Sequence, residues 1–306
     1  MRPGNFYLDP RSAVSTAVIS HAHADHFHTG CGTAYATPGT HRLIQTQTQY
    51  PVAAKLESKP YGEVFSIGET QVCLWPAGHI PGSAMISIYY GGQHALYTGD
   101  ISTQSHPMAE SLSLPDTPVD WLLCESTFAD MPFTAEDPMD AFARIYKEAS
   151  VLKLPLLLGV YSLGKAQRMS HLIHSMLTGV DLRVHPRIES FHATYRLLGF
   201  DPGLVQPYRR LRKSDTTTPI ILMPPTFFNR MAITGKYYSA FVSGWDKRSH
   251  QMGISAYMPI SDHPDAESLR QFIQSVSPKV LSPVHGKYAT LPAFCASNGI
   301  RLHPIS

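Results

Sequence analysis

The first third of the chain sets short apolar runs between turn residues, the pattern of brief strands in a sheet-rich core. Such runs fall at residues 17–20, 71–75, 84–90 and 94–98, the last two joined by Gly91-Gly92, and at 121–124, which ends at Glu125. After about Pro132 the period changes. Residues 137–149 and 165–177 repeat at helical spacing on either side of a continuous apolar strand at 154–160. A further helix is predicted over 189–198 and a buried strand over 220–223, with a polar basic loop between them at 209–215. Short strands and helices return from Gly253, and no internal repeat is visible. This change of texture predicts an α/β insertion over 132–252 inside an outer sheet domain formed by 1–131 and 253–306, rather than two domains in sequence.

A chain of 306 residues can bury one large core or two modest ones, and an apolar share of 43% excludes a disordered class. The net charge of +2 excludes a protein that coats polyanions with its whole surface, so any nucleic-acid contact must be local. Cys31, Cys73, Cys124 and Cys295 are too scattered for a zinc knuckle or a disulfide framework and read as reduced, mostly buried thiols. The N-terminal MRPGNFYLDP lacks a signal-peptide core, and the longest apolar stretch, around 154–160, is too short to span a bilayer. A cytoplasmic protein without a membrane partner is the expectation.

The sixteen histidines change the picture because several cluster. In Ile19-Ser20-His21-Ala22-His23-Ala24-Asp25-His26 four potential ligands follow a β-branched strand, and a loop leaving a strand end can aim His21 and His23 at one ion and Asp25 and His26 at a second. Later strand ends offer His79 in Ala77-Gly78-His79, Asp100 in Thr98-Gly99-Asp100, and His285 in Val284-His285-Gly286. A carboxylate such as Asp100 can bridge two cations; a neutral imidazole cannot.

The HAHADH run with the Gly78-His79 and Thr98-Gly99-Asp100 turns resembles the metal motifs of the metallo-β-lactamase fold. Glu125-Ser126-Thr127-Phe128, Ser261-Asp262-His263 and Val284-His285-Gly286 resemble the further motifs of its β-CASP nucleases, above all the bacterial ligase-associated DNA exonucleases. The resemblance implies a four-layer αββα sandwich with an inserted α/β β-CASP domain. It implies two divalent ions, zinc first and manganese as the other candidate, one held by His21, His23, His79 and Asp100, the other by Asp25, His26, Asp100 and His285. It implies Asp25, Glu125 and His263 as the catalytic set, and Asp9 as a carboxylate that orients the ligand loop from behind. Artemis-type relatives generally lack the last histidine, so the presence of His285 favours a dinuclear centre, and with few residues after it the extra C-terminal domain of ribonuclease J is not expected.

Phosphodiester hydrolysis at neutral pH needs an activated water and positive charge, which two ions supply, and a proton for the leaving oxygen. His263 suits the last task, since a carboxylate such as Glu125 would fix its tautomer and favour its protonated form. In the insertion, Ser162, Gly164 and Lys165 sit where a strand gives way to a helix, a natural phosphate cradle, and Arg209, Arg210, Arg212 and Lys213 are a candidate backbone-tracking patch. The expected activity is a DNA exonuclease in DNA repair, with DNA preferred to RNA and a DNA ligase or helicase as protein partner. The alternatives are an RNA-processing nuclease with the same centre and, further off, a small-molecule metallo-hydrolase, against which the large insertion and the Glu125, His263 and His285 set argue.

Overall fold

The computed structural model describes residues 5–48, 50–131, 137–211, 218–244 and 254–305. The chain divides into two compact units, Met1–Phe133 with His263–Ser306, and Thr134–Asp262. The predicted boundaries at 131/132 and 252/253 touch segments outside the described residues. The return to the first unit comes at 262/263 because the strand after the second of these segments pairs inside the insertion.

The first unit opens with β1 (Tyr7–Leu8), β2 (Thr16–Val18), β3 (Cys31–Ala36), α1 (Pro38–Gln47) and β4 (Ala53–Ser58). The four strands form one parallel sheet in the order β1-β2-β3-β4. Then follow β5 (Val64–Ile67), β6 (Thr70–Pro76), β7 (Ala84–Tyr90), β8 (Gln93–Tyr97) and β9 (Trp121–Ser126). Here β5 to β8 are antiparallel neighbours, and β9 joins β8 in parallel.

In the second unit the order is α2 (Pro138–Val151), β10 (Leu156–Gly159), α3 (Lys165–Met176), β11 (Leu182–Val184), α4 (Pro186–Leu197), β12 (Gln206–Pro207), β13 (Ile220–Met223), α5 (Pro225–Ala232), β14 (Tyr238–Ser243) and β15 (Ala256–Pro259). Among the described residues its sheet runs β12-β11-β13-β10-β14-β15, every pair parallel. Parallel strands covered on both faces read as unbroken apolar runs, and β10 and β13 are buried along their whole length. Leu158, Val160, Leu222, Ala240 and Val242 meet Phe142, Ile145, Met169 and Ile173 of α2 and α3 in its core.

The chain then completes the first unit with α6 (Ala266–Val276), β16 (Val280–Gly286), α7 (Leu291–Ser297) and β17 (Arg301–Leu302). The larger sheet is thus ordered β17-β16-β9-β8-β7-β6-β5. One of its faces packs on the smaller sheet, with Val18 and Tyr35 against Leu74, Ile86 and Tyr97. The other is covered by Leu269, Phe272 and Ile273 of α6 and Leu291 and Cys295 of α7. All four cysteines are buried and free of disulfides. No described helix is long and apolar enough to cross a membrane.

Candidate metal centre

The ligand loop hangs between the two sheets of the first unit. Beyond β2 the Ile19 N–H still bonds to the Tyr35 carbonyl of the small sheet, whereas the Ser20 carbonyl accepts from Ala84 at the start of β7. The chain therefore crosses from one sheet to the other immediately before His21. Asp9, just past β1, anchors this crossing: it accepts from the Ser20 N–H (2.7 Å), the Ser20 hydroxyl (2.5 Å), the Tyr97 hydroxyl (2.9 Å) and His26 Nδ1 (2.7 Å). Asp9 holds φ at 42°, a left-handed conformation that a non-glycine residue keeps only where its surroundings impose it. Occupied at Nδ1, His26 turns Nε2 toward Asp100, 3.5 Å from Oδ2.

His79 and Asp100 arrive from tight turns after β6 and β8. Gly99 has φ +55°, and a Cβ there would fall 2.6 Å from the Ser20 side chain, so only glycine lets the Asp100 turn approach the loop so closely. The result is convergence. His23 Nδ1 lies 3.0 Å from His21 Nε2 and 3.1 Å from His79 Nε2, while Asp100 Oδ2 lies 3.5 Å and 3.8 Å from those two nitrogens. A tetrahedron with metal–ligand bonds near 2.0–2.1 Å has edges of roughly 3.3 Å, so this donor set fits a zinc-like ion on separations as well as on chemistry.

Charge follows the same geometry. Burial, then the neighbouring His26, His23 and His79, holds His21 well below the usual imidazole range, so it stays neutral as a ligand must. Burial raises Asp100 to about 6, with His263 and His26 pulling it down and Glu125 pushing it up. For His26, burial is outweighed by the hydrogen bond to Asp9 and the charges of Asp100, Asp9 and Asp25, raising it to about 9. A cation bound among these groups would replace that proton.

Asp100 Oδ2 faces imidazoles on two sides, His21 and His79 on one and His26 on the other. Beyond His26 lie Asp25, exposed and 3.9 Å away through Oδ2, and His285, whose ring centre is 5.6 Å from that of His26. His285 is itself a product of local strain. It sits at φ 59° where the register of β16 against β9 slips between Val284 and Gly286, and the Ser126 hydroxyl bonds its carbonyl. Such a bulge swings one side chain out of the strand's alternation. Burial, then His26 and Arg11, lowers its pKa.

One of these strands, β9, carries the first acid–base candidate, and the second, His263, lies shortly before α6. Glu125, on β9 and 1% exposed, accepts from the Ile101 N–H (2.6 Å), the Thr127 hydroxyl (2.7 Å) and His263 Nδ1 (2.8 Å). His263 is held edge-on by Phe128, and its ring centre is 4.9 Å from that of His79. Three groups of potential ligands emerge among the described residues: His21, His23, His79 and Asp100; Asp9, His21 and His26; and Asp100, Glu125 and His263. Asp25 and His285 border these groups without joining one.

Two supporting residues escaped the sequence reading. Tyr97 bonds Asp9 from deep in β8, where an apolar run conceals it, and Thr98 receives the Glu125 N–H at 3.0 Å. The hydroxyl of Ser20 beside the histidine run was the one visible hint.

The Ser162–Lys165 turn lies in the second unit and departs from the expected cradle. The Gly164 N–H donates to Gln167 Oε1 at 2.8 Å, Gln167 Nε2 donates back to the Ser162 carbonyl at 3.0 Å, and Lys165 Nζ is engaged by Asp262 at 2.7 Å. Two of the donors expected to meet a phosphate, the Gly164 N–H and Lys165 Nζ, are thus bonded within the unit. Arg209 and Arg210 are exposed; Arg212 and Lys213 fall outside the described residues.

Comparison with known proteins agrees with this chemistry. Residues 251–297 match the family model described as "Zn-dependent metallo-hydrolase RNA specificity domain". The chain is 27% identical over 301 residues to a "Probable DNA ligase" of Opitutus terrae, covering 92% of this chain and 28% of that protein. It is 25% identical over 197 residues to a ribonuclease of Thermus thermophilus, covering 56% and 45%. With the cleavage and polyadenylation specificity factor 73 of Drosophila melanogaster it shares 27% over 132 residues, covering 42% and 19%. The chain therefore spans less than half the length of each of these relatives. Its fold resembles a crystallised protein of unknown function from Enterococcus faecalis V583, with a TM-score of 0.61 and 14% identity over 95% of this chain and 79% of that one. Motifs, donor geometry and relatives point the same way: the chain is similar to metal-dependent nucleases of the β-CASP group of the metallo-β-lactamase superfamily.

Proposed function

We propose that this protein is a metal-dependent nuclease that hydrolyses phosphodiester bonds of DNA, acting as an exonuclease in DNA repair. The observation that carries the hydrolytic reading is the convergence of His21, His23, His79 and Asp100 next to the Glu125–His263 pair. Two divalent ions, zinc or manganese, would supply an activated water and positive charge for the phosphate. His21, His23, His79 and Asp100 would hold one, and Asp25, His26, Asp100 and His285 would hold the other.

The remaining work falls to side chains. Glu125 fixes His263 through Nδ1, so proton delivery to the leaving oxygen proceeds from Nε2, and the nearby carboxylate favours the charged ring that makes such delivery possible. Asp9 keeps the ligand loop in register with Asp100 through Ser20 and His26. The packing of α6 and α7 on one face of the large sheet, and of the small sheet on the other, supports three layers of the expected four-layer sandwich.

Similarity across nearly the whole chain to a protein named for DNA ligation supports DNA as substrate and a ligase as partner. The match to an RNA specificity model and to a ribonuclease favours a second reading, RNA processing at the same centre. End-labelled DNA and RNA strands incubated with the purified protein and zinc or manganese separate the two. Stepwise loss of nucleotides from DNA is expected; equal or faster RNA cleavage selects the second reading, and no cleavage of either by metal-loaded protein removes both.

A further inference from the structure

Lys165 and Arg168 carry charge that the proposed site does not use. Lys165 opens α3 with its side chain 7% exposed; its Nζ lies 2.7 Å from Asp262 Oδ2 and donates to the Ile260 carbonyl at 2.8 Å. One turn further along, Arg168 Nη1 donates to Asp262 Oδ1 and to the Ser261 carbonyl, both at 2.9 Å. Two cations spaced three residues apart on one helix therefore grip three consecutive residues, through one carboxylate and two carbonyls.

We propose that Lys165 and Arg168 are positioning residues which fix the peptide leading into His263. The inference rests on the reading of His263 as proton donor. A single lysine would suffice to neutralise Asp262. The second cation, and above all the two bonds to main-chain carbonyls, restrain the backbone itself, and the next residue is His263, whose Nδ1 must meet Glu125 at 2.8 Å. A buried ion pair is weak evidence for added stability, and in some proteins such pairs are kept because they specify one arrangement. A donor displaced by about 1 Å forfeits on the order of 10²-fold in rate. The role also accounts for a lysine at this helix start that is buried against Asp262. Burial drives it toward its neutral form, and Asp262 opposes this.

The test compares Lys165→Met, Arg168→Lys and Asp262→Asn with the wild-type protein. Hydrolysis of bis(p-nitrophenyl) phosphate and of an end-labelled DNA strand gives kcat and KM, elemental analysis gives metal content, and ¹⁵N-histidine NMR reads the Nδ1–H of His263, assigned by its loss in His263→Ala. Lys165→Met and Asp262→Asn should each lower kcat tenfold or more, leave KM within twofold and metal content unchanged, and broaden or shift the His263 signal. Combined, they should be no worse than either alone. Arg168→Lys, which keeps the charge, should retain most of the activity. An unshifted His263 signal with kcat within twofold overturns the proposal, as does a KM raised tenfold at unchanged kcat, which would return Lys165 to the substrate phosphate. Should Lys165→Met not fold, Asp262→Asn, which keeps the side-chain shape, decides alone. If the wild-type protein cleaves neither probe, the nuclease reading fails, while the histidine signal still decides whether the grip holds His263.

Discussion

In the inserted unit, β10, β13 and β14 are buried from end to end, and their side chains meet two layers of helix. In the large sheet of the other unit the strands are apolar only as far as their C-terminal ends, where His79, Asp100, Glu125 and His285 emerge within reach of the His21–His26 loop. The first arrangement needs little beyond volume and pattern. The second holds buried imidazoles and carboxylates together, with Asp9 and His285 in left-handed conformations and a bulge in β16. Two of the four left-handed non-glycine residues among the described residues, Asp9 and His285, lie there beside the buried imidazoles and carboxylates, and the rest of the fold must be stable enough to tolerate them.

The contrast is broken most severely at Asp100, the carboxylate shared by the imidazoles on both sides. Asp100→Ala should remove at least one equivalent of metal and lower phosphodiester hydrolysis by 10³-fold or more, read by elemental analysis beside the strand-cleavage assay. Retention of full metal content would show that the histidines suffice without it. His263→Ala sharpens the same comparison from the other side. It should lower kcat by about 10²–10⁴-fold while leaving metal content intact, the scale of a lost general acid, whereas His285→Ala should lose both. Equal metal loss in the two variants would put His263 among the ligands.

Legibility followed the same division. The strand at Ile220–Met223 and the one within 154–160 could be read because burial on both faces leaves an unbroken apolar run. The strands β3 and β4 could not: Cys-Gly-Thr-Ala-Tyr-Ala and Ala-Ala-Lys-Leu-Glu-Ser carry no clean alternation, and they are held as strands by parallel pairing with distant chain. Helix α4 begins at Pro186, three residues before the predicted start, because the His185 ring caps it through the Arg187 N–H, a capping role that pattern alone does not announce. The candidate ligands His21, His23, His79 and Asp100 could be read because a His-rich loop has few other uses. The inward turn of Lys165 was not, since its partner Asp262 lies almost a hundred residues away in sequence.

Each unit also buries imidazole outside the site, and two such rings give a smaller, pH-dependent effect. His41 on α1 and His192 on α4 both lack a hydrogen-bond partner at Nε2 among the described residues. Burial lowers each to about 4. Above the unfolded value of 6.5 both states are neutral and neither residue contributes. As the pH falls below 6.5 the unfolded chain takes up protons that the folded one refuses, so stability declines until about pH 4 and then levels off. Between pH 7.5 and pH 5 the loss should be about 2 kcal/mol per residue. Denaturant titrations at the two pH values, repeated on His192→Gln, check this; an unchanged difference in the variant would remove His192 from the account.

The smallest effect separates a cap that serves only its helix from one that borders the site. Asp137 caps α2 by accepting from the Met139 N–H at 2.8 Å, and Asp265 caps α6 by accepting from the Ser268 N–H at 2.7 Å. Replacing either by alanine leaves a helix-start N–H without its partner, at about 1 kcal/mol. Both variants should therefore lower stability alike. Asp265 stands two residues after His263, and α6 packs through Leu269 and Phe272 on the large sheet beneath Glu125's strand, so slack in its first turn reaches the acid–base pair. Asp265→Ala should lower kcat two- to fivefold, with Asp137→Ala indistinguishable from wild type in the same assay. If both variants retain full kcat, His263 is held by Glu125 and the preceding peptide alone, and the first turn of α6 plays no part in placing it.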